Sequence, residues 1–276
     1  MRRKRIIRGA ETEGWTMTKK RCGRRLIMYE IRNVLGNPFV YMFGIFFPIL
    51  MLFIITKAVQ ADVPESMIPQ ANTAVFITMS LIIPMAVVLL GYSSNYSQEL
   101  EKEIPLRMQL FGFSPNTTLL AKIIAQFAVM SIGLVLYTIV AYSTLEMEIP
   151  RPGAALCLII SLLLLSGIFF ALAHGVATIL KKFGPTYAIM MAVYFGVMVL
   201  CGMMGVQVED LPEAAQKVAA LFPMSYITSD FAGFWTEGSY NFTPLIQSFL
   251  FFGAVSGIIL LIALRRERRE VTEKRM

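Results

Sequence analysis

The chain of 276 residues is predicted to be an all-α integral membrane protein with six transmembrane helices, and three observations predict it. Six stretches lack Asp, Glu, Lys and Arg, covering residues 33–56, 66–98, 123–145, 152–180, 183–208 and 238–264. Each has at least the ~20 apolar residues that carry a helix across ~30 Å of hydrocarbon, where every backbone amide must find its partner within the segment. Hydrophobic residues make up 56% of the chain and charged ones 16%, with a mean hydropathy of +0.64. Finally, 22 of the 25 Lys and Arg residues fall on one side of the threading and only Lys57, Arg151 and Lys217 on the other. Basic residues near span ends are retained on the cytoplasmic side, so both termini are expected there.

The first 15 residues read as a basic flexible extension near anionic lipid headgroups. Met1 to Arg8 resembles the start of a secretion signal, but the residues that follow are polar, so no cleavage is expected. Residues 16–268 read as one transmembrane domain and 269–276 as a cytoplasmic tail. Ahead of the first span, Ile27, Ile31, Val34 and Leu35 recur at helical spacing with Arg21, Arg25 and Arg32 grouped away from them. That pattern predicts an N-terminal interfacial helix lying in the headgroup plane. Gly36-Asn37-Pro38 ends it, with a left-handed glycine expected at the stop and proline opening the next helix.

Spans are expected at about 38–57, 72–95, 117–143, 154–180, 185–206 and 243–264. Pro48 and Pro84 lie inside the first two, where a missing N–H and a ring clash bend the helix; a static kink is the default and a hinge the alternative. Small residues recur every four positions at Gly167, Ala171 and Gly175, at Ala188, Ala192 and Gly196, and at Gly253 and Gly257, and predict close-packed seams. Cys22, Cys157 and Cys201 have neither a metal-ligand nor a disulfide-framework spacing.

Two connecting segments carry most of the remaining information. Inside, residues 98–115 place Leu100, Ile104, Met108 and Phe111 on one helical face, with Glu99 and Lys102 off it and Arg107 at its edge. Pro105 bends or divides that helix, and Ser114-Pro115 reads as a cap opening the third span. Outside, Asp210 with Glu213 resembles a capping box, Pro223 stops the helix, and residues 225–235 are apolar and aromatic but too short to cross. External re-entrant half-helices are therefore expected.

The chemistry that is missing narrows the function. No G-x-x-x-x-G-K-[ST] loop is present to cradle nucleotide phosphates, and no nucleophile motif or H-E-x-x-H metal site occurs, so no catalytic residue, metal or cofactor is expected in this chain. The basic residues flank helices without aromatic interleaving, which argues against nucleic acid. His174 sits in the fourth span, either as an imidazole bonded to a neighbouring helix or as a functional ionisable group. With no Asp, Glu, Lys or Arg expected inside the spans, ion-gradient coupling is disfavoured and any transport must draw its energy from a partner.

Taken together, the interfacial helix, the six spans, the short inner segment and the outer half-helices resemble the membrane subunit of bacterial ABC exporters of the second, exporter-permease family. The closest local match is Gln98-Glu-Leu-Glu-Lys-Glu103 leading to Phe113-Ser-Pro115 and Leu119-Leu-Ala-Lys122, within a resemblance spanning residues 17–268. Members of that family export drugs, peptides, lipid-linked glycans or teichoic acids. The resemblance implies a pair of permeases, formed with a second copy of this chain or a similar one, above two copies of a separate ABC ATPase that binds the ATP and Mg. It implies a coupling helix in which Glu99, Glu103, Ile104, Arg107, Met108 and Phe111 contact the ATPase, and an export path bordered by the second and fifth spans. Where the family often has a glycine after the coupling-helix acid, this chain has Lys102-Glu103-Ile104. The implied function is ATP-driven export of a hydrophobic or amphipathic substrate across a bacterial plasma membrane; a membrane scaffold or sensor that binds a partner without transport is the alternative.

Overall fold

The computed structural model describes residues 21–273, and the side chains among them to residue 269. The basic extension of residues 1–15 and the last residues of the tail lie outside that range. Six helices are long and apolar enough to cross a membrane: Pro38–Gln60, Glu65–Glu101, Pro115–Thr144, Pro152–Leu180, Phe183–Leu200 and Phe242–Arg269. They are called the first to sixth spans below. Successive spans run antiparallel, so the N-terminal helix Arg24–Leu35, the turn after the second span and the end of the sixth share one face, here the basal face. The loops after the first, third and fifth spans form the distal face.

The second span is the centre of the molecule. It buries 83% of its most apolar stretch, whereas the sixth buries 22% and leaves Leu250, Ile258, Leu261 and Ile262 outward. In lipid there is no hydrophobic drive between helices, so the contacts depend on close backbone approach. First and second spans interlock at two such points: a Cβ on Gly44 would come within 2.7 Å of Val87 Cγ2, and one on Gly91 within 2.7 Å of Val40 Cγ2. Each valine thus fills the gap opposite a glycine. Of the small-residue seams, Gly175 approaches the backbone of Leu260 on the sixth span, with a built Cβ 3.1 Å from its Cα. Gly167, Gly196 and Gly257 face open space, so those seams are only partly used within the chain.

Both intraspan prolines sit beside widened turns. The backbone is π-helical over Met42–Phe46, just before Pro48, and over Met85–Tyr92, just after Pro84. A wider turn makes room for the ring and frees carbonyls from their usual partners. Two of these are taken up by side chains: Gln126 Nε2 donates to Val87 O, and Asn37 Nδ2 donates to Gly91 O at 3.2 Å.

The breaks follow the chemistry of the local residues, with several corrections. Gly36 stays right-handed (φ −76°), and it is Asn37 that opens the first span, its side chain accepting from Phe39 N at 3.0 Å ahead of Pro38. Ser114 caps the third span as expected, accepting from Thr117 N at 3.2 Å. On the distal face, the Asp210–Glu213 box does not form. The helix begins at Glu213, and Gln216 Nε2 reaches back to Glu209 O and Leu211 O instead. That short helix already ends at Ala219, ahead of the expected stop at Pro223, and Pro223 instead opens Pro223–Glu237, which is too short to span and packs Met224, Ile227, Phe231, Phe234 and Trp235 inward. The fifth span stops at Leu200, short of the expected 206, where the left-handed Gly202 and Gly205 turn the chain.

Candidate functional site: the basal turn and the charged network behind it

The turn after the second span is two helices, not one. The second span ends at Glu101, Glu103 adopts a left-handed conformation (φ 56°), and a short helix Ile104–Leu110 follows, ended by Gly112 at φ 87°. Glu103 thus holds the conformation natural to glycine in the very stretch where the resembling family often has one. Because the helix axis changes there, the predicted face divides. Ile104 and Met108 turn inward, half-buried, while Leu106, Arg107, Leu110 and Phe111 are exposed, Leu110 and Phe111 by 67% and 68%.

Glu99 lies elsewhere. Its carboxylate is buried and faces the protein interior, so it does not sit on the outer surface with Arg107 and Phe111. Lys122, one turn past the third span's Leu119, places Nζ 2.7 Å from Glu99 Oε2 and 2.9 Å from Glu30 Oε2 of the N-terminal helix. Asn33 Nδ2 donates to Glu99 Oε1 at 2.7 Å. The network continues through Asn95, which accepts from Asn37 Nδ2 at 2.8 Å and donates to Asn33 O at 3.3 Å. Burial pushes the Glu30 carboxyl above its ordinary value, and the ammonium of Lys122 only partly offsets that. Charged groups therefore do lie buried within the second and third spans, contrary to the sequence reading.

These partners also settle what the N-terminal helix does. Its buried line runs Leu26, Glu30, Val34 and packs on the start of the third span; of the expected Ile27, Ile31, Val34 and Leu35, Val34 is buried, Ile27 and Ile31 are half-buried and Leu35 is exposed. Met28, Tyr29 and Leu35 remain exposed. An acid at i+4 between two apolar residues was the signal for this pairing, together with a lysine directly before a charge-free run. A second tie runs from Glu101, whose Oε2 accepts from Phe183 N at 2.9 Å and so caps the fifth span.

His174 of the fourth span is the bonded imidazole of the first reading. Tyr92 Oη lies 2.7 Å from its Nδ1, and Tyr96 stacks on it at a centroid distance of 4.7 Å. The three cysteines are free. Among the described residues no group of three or more His, Cys, Asp or Glu is placed to hold a metal ion.

The described body thus has six spans, a short helix exposed on the basal face and a buried ion network joining the N-terminal helix to the second and third spans. The protein-family model of the ABC-2 family transporter protein matches residues 59–265. The chain belongs to the ABC-2 transporter family. It is a multi-pass membrane subunit of an ABC transporter, a permease distinct from the ATPase, and the family implies an ABC ATPase as partner. No match was found among curated proteins or among solved structures.

Proposed function

We propose that this ABC-2 permease works as an exporter, with the basal helix Ile104–Leu110 receiving the motion of the ATPase. The observation that carries this reading is the outward set Leu106, Arg107, Leu110 and Phe111 on a helix joined within five residues to Glu99 and its network. Burial of each large apolar side chain against a partner contributes ~1.5–3 kcal/mol. Displacement of that helix would act on the end of the second span, and through Lys122 and Glu30 on the third span and the N-terminal helix. Glu103, with its left-handed backbone, and Arg107 belong to the contact; Ile104 and Met108 support it from beneath. Pro48 and Pro84, each beside a widened turn, are the places where the first two spans would flex.

The basal face is then cytoplasmic in a bacterial plasma membrane. Two copies of the chain, or this chain and a similar one, stand over two ATPase subunits that bind ATP and Mg. The cargo is hydrophobic or amphipathic, moving along a path between protomers bordered by the second and fifth spans.

Two experiments test these statements. Cysteines introduced by Ser66→Cys or Glu237→Cys should react with an impermeant thiol reagent in intact cells, and one introduced by Lys182→Cys should not; the reverse pattern inverts the orientation. The double substitution Leu110→Asp with Phe111→Asp should leave insertion and folding intact yet weaken ATPase copurification and abolish export. Normal export by that variant, with the ATPase still bound, would sink the coupling assignment, and a chain that binds its partner but moves nothing would be a scaffold.

A further inference from the structure

Behind the basal helix lies a cavity of about 640 Å³, well within the size range of small-molecule sites. Its lining combines two chemistries: the ion network of Glu30, Glu99 and Lys122, and apolar side chains such as Ile104, Met108 and Leu264. Glu267 and Arg268 of the sixth span complete it. Three carboxylates thus stand against two cations. Within the nearly buried network itself, two carboxylates share the single ammonium of Lys122, which leaves an excess negative charge facing little solvent. An anionic ligand would add to that excess and a neutral one would leave it uncompensated.

Aromatic side chains flank the carboxylates: Tyr29 lines the cavity with Tyr96 and His174, which stack on each other 4.7 Å apart. Lys122 stands seven residues into the third span from Pro115, roughly 10 Å along the helix axis. A lipid whose headgroup lies near the start of that span would reach Glu30 and Glu99 with its charge and the apolar lining with its tail. We propose that the basal cavity binds an amphipathic amine, its ammonium held on the cavity side of the Glu30 and Glu99 carboxylates that Lys122 bridges and its apolar body against Ile104, Met108, Leu119 and Leu264. The amine is either an aminophospholipid headgroup or a free alkyl or aryl amine. The assignment names a ligand and not its fate, so it stands whether or not the transporter exports.

The test uses the full chain with Cys22, Cys157 and Cys201 replaced by Ala, a reporter cysteine introduced at the rim by Asn116→Cys, and nanodiscs of phosphatidylglycerol alone. Dodecylamine should slow maleimide labelling of the reporter saturably, by about tenfold when it exceeds its Kd tenfold. Dodecanol and dodecanoate, equal in length, should not. Met108→Trp, which fills the cavity without altering its charge, should abolish the protection while the protein remains folded and monodisperse. In phosphatidylethanolamine nanodiscs, labelling that is slow before any amine is added assigns the site to a lipid headgroup; labelling that is fast until dodecylamine is added assigns it to a free amine. Equal protection by dodecanol or dodecanoate, protection that survives Met108→Trp, or protection seen only on adding the ATPase would each overturn the proposal.

Discussion

The basal and distal ends of this permease are held together by different physics. At the basal end, charge and directional hydrogen bonds join the N-terminal helix, the second span and the third: Glu30, Glu99 and Lys122 with Asn33, Asn37 and Asn95. At the distal end the joints are neutral. Phe76 stacks on Tyr137 at 5.2 Å, Phe231 and Phe234 meet Tyr240, and Trp235 Nε1 donates to Glu148 O at 3.3 Å. Asn72 Nδ2 donates to Glu146 O at 2.8 Å, and Arg151 N donates to Trp235 O at 3.2 Å. Aromatic packing tolerates small shifts because its attraction is broad. A buried ion network is all or none, since the loss of one member strands the others. The basal end is therefore built to move as a unit, as the proposed coupling requires, and the distal end is built to yield.

The largest test of that contrast is Lys122→Met. It strands two buried carboxylates, and thermal unfolding in detergent should record a loss of ~3–5 kcal/mol. Adding Glu30→Gln and Glu99→Gln should recover most of it, because neutral groups need no ammonium. A single Lys122→Met variant as stable as the parent would show that the network does not hold the basal end. Next is Gly91→Val, which drives a side chain into Val40 and should cost ~1–3 kcal/mol, with Val40→Ala restoring most of the stability. On the distal side, Trp235→Phe keeps an aromatic ring but loses one hydrogen bond and part of the buried indole, for a decrease of ~1–2 kcal/mol. An effect there as large as that of Lys122→Met would erase the contrast.

The smallest effect is one of pH. The Glu30 carboxyl is raised from 4.5, so the folded chain holds that proton more tightly than the unfolded chain does. Its contribution to stability is then greatest at low pH and declines as pH rises from about 4.5 through the raised folded value, levelling off above it. Glu30→Gln should remove this slope from a melting-temperature profile. A slope unchanged in the variant would place the titration on another group.

The spans were legible because the hydrocarbon thickness dictates their length, and a run without charge can be read directly from residues. The breaks at Asn37-Pro38 and Ser114-Pro115 were legible for the same reason, as both depend on neighbours within three residues. The charged network was not, since Glu30 and Lys122 are 92 residues apart and their pairing depends on how three helices are arranged. The coupling segment fell between these cases. Pro105 announced a division, but only the left-handed Glu103 shows which way the second piece turns, and that separated Phe111 from Ile104 and Met108. An unpaired-looking acid amid apolar residues is a better signal of a membrane network than its rarity suggests.

The bond from Phe183 N to Glu101 Oε2 turns the first amide of the fifth span into a position gauge. Such an amide has no acceptor within its own helix, so its protection against hydrogen exchange is on loan from another element. When the end of the second span is drawn away, that amide meets water and exchanges fast; when it returns, exchange slows. On the proposed coupling, a single backbone proton would report, in time, where the basal turn stands.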